Sequence, residues 1–293
     1  MNRRNILVIV NPISGIGKQR KIEELLEKHI DKEVLSYSVS YTEHAHHGTQ
    51  MAEEAVREGT YDAIVAVGGD GSVNDVVSGM VGSTLPLGII PCGSGNGLAR
   101  NLGIPMNAAQ AIEKLNHFKI GEIDTITLNE RVVASIAGIG FDARVARRMK
   151  LAKVRGFQAY AKIILSDYPT YKEQDYRLRI DGREIERRAW FISFANSNQF
   201  GFNTAIAPLA RLDDGLIDVC IVDKIPLIHL PLTAPLIYLN HFELSQHVEI
   251  FKAHEVEVLN NEEQWVNVDG EGERLGSHLH FVNNRKSLRV ILP

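Results

Sequence analysis

Cysteine is nearly missing from this chain: Cys92 and Cys220 are the only two in 293 residues. Two thiols build no disulfide framework, and the sequence reads as that of a protein from a reducing, intracellular setting. A basic excess is missing too. Lys and Arg number 32 against 36 Asp and Glu, a formal net charge of −4, so the electrostatic footprint of a nucleic-acid binder is not there. No apolar run reaches the roughly 20 residues that cross a bilayer. The most hydrophobic late stretch, 225–239, is interrupted by Pro226, Pro231 and Pro235 and carries His229. It reads as a broken buried helix or loop, with a membrane-facing apolar lip as the alternative. The start, Arg3-Arg4-Asn5-Ile6, turns apolar but stops at Asn11-Pro12. That is too short for the core of a secretory signal, and it reads as a first strand. Internal repeats and low-complexity linkers are not seen.

What the sequence does have is glycine in ordered places. The apolar stretch 63–67 ends in Gly68-Gly69-Asp70-Gly71-Ser72-Val73-Asn74, which leads into a helical pattern over 73–80. Three glycines in four residues let the backbone turn sharply and approach a ligand. Amide donors at the start of the helix then favour an anion. A second stretch, 85–90, ends in Pro91-Cys92-Gly93-Ser94-Gly95-Asn96-Gly97, and a third, 5–10, ends in Asn11-Pro12-Ile13-Ser14-Gly15-Ile16-Gly17-Lys18. Both run into helical patterns. Three such units place their loops at the carboxyl ends of parallel strands, the edge where open α/β sheets bind ligands. A nucleotide polyphosphate suits them. Two familiar fingerprints fail: Gln19 follows Lys18 where a Walker A loop needs Ser or Thr, and Arg20 stands where the dinucleotide motif needs its third glycine.

Strands are predicted at 5–10, 34–41, 62–67 and 86–90, and helices at 18–29, 48–58, 72–81, 95–102 and 107–116. This alternation argues a parallel sheet with helices on both faces. After 120 the pattern changes to strands at 122–128, 131–139, 176–180, 184–195, 216–222, 255–259 and 264–268, with one helical block at 142–168. Turn signals at Asp181-Gly182 and Asn260-Asn261 fit an antiparallel sandwich or barrel. The fold class is α/β plus all-β, closed by a very apolar strand at 288–292.

Taken in order, Asn11-Pro12-x-Ser14-Gly15, Gly68-Gly69-Asp70-Gly71-Ser72-x-Asn74 and Pro91-x-Gly93-Ser94-Gly95-Asn96 resemble the diacylglycerol kinase and sphingosine kinase superfamily, above all its compact bacterial lipid kinases. The resemblance continues through Gly138-Ile139-Gly140-Phe141-Asp142-Ala143, Ala207-Pro208, Asp213-Asp214-Gly215-Leu216-Ile217-Asp218 and Val268-Asp269-Gly270-Glu271, so it spans nearly the whole chain. It implies an ATP-binding catalytic domain at 1–125 with a return strand at 286–293, and a β-sandwich lipid-binding domain at 126–285, with the site in the cleft between them. It implies ATP and Mg2+ as cofactors and transfer of the γ-phosphoryl group to a lipid hydroxyl, of diacylglycerol, a sphingoid base or a related alcohol. Diacylglycerol kinases usually carry an acidic residue where Gly97 stands, and sphingosine kinases a small one, so the lipid stays open. A cytoplasmic protein that visits the membrane surface for its lipid follows, with no nucleic-acid partner and with a homodimer compatible with an edge strand. The alternatives are an NAD-kinase-like enzyme with a soluble substrate and a catalytically silent nucleotide- or lipid-binding protein.

By the same resemblance, Asn11, Ser14, Thr42, Gly68, Gly69, Gly71, Ser72, Asn74, Gly93, Ser94, Gly95 and Asn96 surround the nucleotide. From position alone Thr42 is a helix N-cap, worth about 1 kcal/mol. Glu271 matches the proton acceptor of the bacterial lipid kinases, and Asp70 the base assigned in sphingosine kinases. Glu271 is taken here as the general base and Asp70 as organiser of magnesium and phosphate. Without the resemblance, Asp269-Gly270-Glu271 is a hairpin turn with solvated acids. A structural magnesium is implied on the backbone carbonyls of Arg211 and Leu216 and the carboxylate of Asp214. Asp142 is either a helix cap or a binder of the lipid headgroup. Lys18 is a phosphate partner or a solvent-facing lysine. His44, His46 and His47 include one helical i, i+3 pair but lack a completing ligand, so they read as a polar helix start. The basic run from Arg144 to Arg155 reads as a solvated helix face, with anionic lipid as its functional partner.

Overall fold

The computed structural model describes residues 3–13, 21–152, 156–201, 204–260 and 262–293. Ser14 and Lys18 lie outside them. The chain divides into two compact units, Met1–Asp124 with Arg285–Pro293, and Thr125–Asn284.

The first unit alternates strand and helix: β1 (Arg4–Val10), α1 (Ile22–His29), β2 (Leu35–Tyr41), α2 (His47–Glu58), β3 (Ala63–Gly68), α3 (Asp70–Ser78), β4 (Leu87–Pro91), α4 (Gly97–Asn101), α5 (Ala108–Leu115) and the start of β5 (Lys119–Leu128). Its strands lie in the order β2-β1-β3-β4 and are all parallel. All of β3 and the last five residues of β1 are buried, as central parallel strands covered on both faces must be. Ile22 and Leu26 of α1, one turn apart, and Ile112 and Leu115 of α5 close one face over Val8, Val65 and Ile90. Asn107 starts α5 by accepting the N–H groups of Ala109 and Gln110 (3.0 and 3.2 Å), an N-cap of the preferred kind.

The second unit holds β6 (Arg131–Val133), β7 (Ile136–Gly140), α6 (Phe141–Leu151), α7 (Phe157–Asp167), β8 (Gln174–Ile180), β9 (Arg183–Ala189), β10 (Phe191–Ala195), the short pair β11 (Gln199–Gly201) and β12 (Thr204–Ala205), β13 (Ile217–Val222), α8 (Leu230–Tyr238), β14 (Val248–Ala253), β15 (Glu255–Leu259), β16 (Gln264–Val268), β17 (Glu271–Leu275) and the first part of β18 (His278–Leu292). Six strands in the order β14-β13-β10-β7-β16-β17 form one antiparallel sheet, and β18-β15-β8-β9 form the antiparallel part of another. Ile139, Phe194, Val219, Val258 and Phe281 belong to the core between them, with Phe194 and Phe281 stacked at 3.8 Å. On the outer face of the six-stranded sheet a second core, including Phe141, Val145, Ile163, Trp190, Cys220 and Phe242, carries a layer of helices.

The tail of β18 belongs to the first unit. Val290 pairs in parallel with Leu87 of β4, and the buried Asp124 accepts the N–H of Lys286 at 2.7 Å. Several predicted elements are subdivided. The 131–139 strand breaks between β6 and β7, the 184–195 strand is two strands in different sheets, and the 142–168 block is two helices.

Candidate functional site

Parallel pairing puts the ends of β1, β2, β3 and β4 at one edge of the first unit, where their loops are tied together. The N–H of Asn11 donates to Val67 O (3.3 Å), that of Thr42 to Val10 O (2.9 Å), and those of Cys92 and Gly93 to Gly68 O (2.8 and 3.2 Å). Asn11 Nδ2 donates to Ser72 Oγ at 3.0 Å, joining the first loop to α3. The two glycine loops touch backbone to backbone: a Cβ on Gly93 would lie 2.4 Å from the Gly69 Cα and 2.7 Å from Asn96 Oδ1. This contact excludes any side chain at position 93. Asn96, at φ 55, folds its amide back on Gly93, accepting its N–H (3.0 Å) and donating to its carbonyl (2.9 Å).

Asp70 sits in the first turn of α3, where its charge suits the helix dipole. Its two carboxylate oxygens accept the N–H groups of Asn96 (2.7 Å) and Gly97 (2.6 Å). The acid clamps the second glycine loop to the first. Gly68, Gly69, Gly71, Ser72, Asn74, Gly93, Ser94, Gly95 and Asn96 thus all fall on this edge, with Asn11 and Thr42 beside them. Thr42 does not cap α2. That helix starts at His47, with His46 at φ 60 in the cap position, because residues 43–46 form their own turn, closed by the Glu43 N–H on His47 Nδ1 (3.0 Å). His44 stacks on His47 at 4.5 Å, and His46 Nδ1 lies 3.1 Å from Asp75.

In the second unit Asp142 lies in the first turn of α6, and the cap position belongs to Gly140, so the cap reading of Asp142 fails. Its carboxylate rests on Gly138 and accepts Asn267 Nδ2 at 2.9 Å. Burial raises its pKa to about 6, against the pull of that hydrogen bond. Burial, and the charge of Asp142, also push the Tyr160 hydroxyl upward. Asn267, which sequence reasoning passed over, stands opposite Gly138 in the β16–β7 register.

Glu271 opens β17, half exposed, with Lys150 Nζ at 3.6 Å. A Cβ on the next residue, Gly272, would lie 2.7 Å from the Arg147 backbone, so β17 is pressed against α6. The turn before it is not a pair of solvated acids. Asp269 is buried at φ 46 and accepts the N–H groups of Ala134, Ser135 and Ile136 at 2.7, 2.8 and 2.9 Å. This anchor breaks the strand predicted at 131–139. A carboxylate in an Asp-Gly turn gave no sign in the sequence of its distant partners.

Asp214 Oδ1 accepts the Leu216 N–H (3.1 Å), while Lys252 Nζ reaches Asp214 (3.1 Å), Asp218 (2.9 Å) and Leu209 O (3.2 Å). Burial raises the Asp218 pKa against the pull of Lys252. Its Oδ1 is buried and finds no hydrogen-bond partner among the described residues. Carboxylate and carbonyl oxygens in excess of one ammonium fit a hard cation such as Mg2+. A cavity of about 850 Å³ opens beside α6, lined by Arg144, Arg147, Arg177, Tyr176 and Trp265 among others. Its charged walls suit a polar ligand better than an acyl chain.

The chain matches two family models, the diacylglycerol kinase catalytic domain over residues 5–128 and the YegS C-terminal NAD kinase beta sandwich-like domain over 135–289. It is 28% identical over 300 aligned residues to a diacylglycerol kinase of Bacillus subtilis (strain 168), covering 98% of this chain and 95% of the relative. A diacylglycerol kinase of Staphylococcus aureus (strain bovine RF122 / ET3-1) is 29% identical, with coverage of 99% and 93%. A crystal structure described as a diacylglycerol kinase from Bacillus anthracis str. Sterne shares the fold at a TM-score of 0.77 and 20% identity, covering 100% of this chain and 98% of that one. The glycine loops joined at one sheet edge, the antiparallel sandwich and both family matches lead to one assignment: the chain belongs to the diacylglycerol kinase and sphingosine kinase superfamily of ATP-dependent lipid kinases.

Proposed function

We propose that this kinase phosphorylates the free hydroxyl of diacylglycerol at a membrane surface, with Mg2+ accompanying ATP. The observation that carries the nucleotide half is the joining of three loops by Asn11–Ser72 and by Asp70 on Asn96 and Gly97. The names of the relatives carry the choice of lipid. Phosphoryl transfer asks a protein for positioning and charge stabilisation more than for covalent chemistry. Backbone donors at the start of α3 and at Ser94 and Gly95 bind the phosphates, and Asp70 holds their loop in place through the N–H groups of Asn96 and Gly97. Magnesium on the nucleotide supplies neutralisation of the phosphate oxygens. Glu271 accepts the proton of the lipid hydroxyl, and Asp142, paired with Asn267, receives the headgroup. Arg211 O, Leu216 O and the Asp214 carboxylate would hold a separate, structural Mg2+.

Radiolabelled ATP with magnesium, offered to diacylglycerol, a sphingoid base and NAD in parallel, tests this reading. Label in phosphatidate is the expected result. Label in the sphingoid product or in NADP would replace the substrate, and ATP binding without transfer would leave a silent binder.

A further inference from the structure

We propose that α8 and the turn before it form the surface with which this kinase settles on the bilayer that holds its acceptor; the inference rests on the membrane-surface reading above and names the residues responsible. Residues 225–240 contain no Asp, Glu, Lys or Arg. The inner side of α8 is accounted for by the fold: Thr233 is buried, and Leu230 and Ile237 pack on the core that holds Phe242. The outer side is just as apolar. Leu227 is 68% exposed, Ile228 80%, Leu232 76%, Leu239 65% and Leu244 69%, with Pro231, Ala234 and Pro235 between them also facing out.

A helix apolar on every side belongs in a protein interior or in lipid. The interior is ruled out for the outer side by these exposures. Crossing is ruled out by length: α8 has 9 residues, and no described helix is long and apolar enough to span a membrane. Lying in the interface, with its outer side among acyl chains, satisfies both conditions. Concentrated apolar exposure of this kind marks an interaction site on a soluble protein. Charge selects lipid as the occupant. α6 and α7 share the helical layer with α8, Tyr168 donating to Ile225 O and Lys224 Nζ to Tyr171 O at 2.8 Å. The exposed charges of α6 and α7 among the described residues are all basic, Arg144, Arg147, Arg148, Lys150 and Lys162; the buried Asp167 pairs with Arg144 and Arg148 and Glu271 lies near Lys150, and the cations still outnumber the acids of these two helices, Asp142 and Asp167. An apolar strip flanked by cations complements an anionic bilayer.

The test is sedimentation with vesicles of phosphatidylcholine and phosphatidylglycerol, comparing the wild type with Leu227→Ser/Ile228→Ser/Leu232→Ser. The variant should partition about tenfold or more weakly while phosphorylating short-chain diacylglycerol, dispersed as monomers, at the wild-type rate. Equal sedimentation of the two proteins overturns the proposal and leaves the membrane-surface reading standing. A wild type that stays in the supernatant fails that reading, and the proposal with it. A wild-type dimer that the variant dissolves, seen by sedimentation equilibrium, means that a second copy covers α8, and also overturns it. Leu232→Trp decides the matter if the triple variant loses its monomer activity: a blue shift of indole emission on adding vesicles supports insertion, and an unchanged spectrum in pelleted protein refutes it.

Discussion

Replacing Asp142 by Asn should remove a pH-dependent burden from the second unit. The carboxyl is 7% exposed and accepts one bond from a neutral amide, and its pKa rises from an ordinary 3.8 to about 6. Each tenfold in proton affinity is worth about 1.36 kcal/mol, so carrying this residue ionised costs the folded state about 3 kcal/mol above pH 6. The sign follows from the raised value. Between pH 4 and 6 the folded chain holds a proton that the unfolded chain has released, so this contribution is complete below about 4 and lost as pH rises through about 6. Asn does not titrate, and any fixed offset from its amide is the same at every pH. Urea unfolding followed by Trp190 and Trp265, the chain's two tryptophans and both in the second unit, reads the difference. Wild-type stability should fall relative to Asp142→Asn by about 3 kcal/mol across that window. Parallel profiles would refute the burial argument. The same variant should raise the lipid KM if the residue receives the headgroup.

Gly93→Ala must push the two glycine loops apart, and ATP affinity by calorimetry should drop tenfold or more while the thermal transition of the second unit stays put; unchanged affinity would mean that the close approach is dispensable. Glu271→Gln should lower kcat by about two to four orders of magnitude with ATP binding retained, and near-normal turnover would remove it from the role of base. Asp269→Ala strands three buried N–H groups, each costing about 1–3 kcal/mol, so its urea midpoint should collapse; a small change would show that water replaces the carboxylate. Asp214→Ala should abolish any stabilisation of the second unit by Mg2+, measured against EDTA, and a wild type indifferent to EDTA would dismiss the structural ion.

The glycine loops were legible because each follows a continuous apolar run, Ile6–Val10 or Ala63–Val67, that only a central parallel strand explains. The short pair β11 and β12 and the first part of β18 go unpredicted, as do β14 and β17, the two edges of the six-stranded sheet. Edge strands carry charge, here Glu249 and Lys252 in one and Glu271, Glu273 and Arg274 in the other, and so lose the apolar signature on which prediction depends. Trp190 hides the break between β9 and β10 because it is a strand-favouring residue set between the buried Ala189 and Phe191, with no Gly, Pro, Asn or Asp to mark a turn. In the site, acids that act through distant backbone were invisible. Asp70 finds its partners 26 and 27 residues away and Asp269 more than 130, distances that no local pattern encodes. The 225–239 stretch was read chiefly as buried, since hydropathy cannot tell a core from a greasy exterior.

The return of β18 to the first unit sets an order of events during synthesis. Residues 285–293 complete a unit whose other members end at Asp124, and the 160 residues of Thr125–Asn284 are translated in between. At about 5–20 residues per second, the nucleotide-binding unit waits roughly 8–30 s for its last strand, with β4 paired to β3 on one side and lacking its β18 neighbour on the other. The sandwich, although second in sequence, has its residues made before the unit that precedes it can be finished.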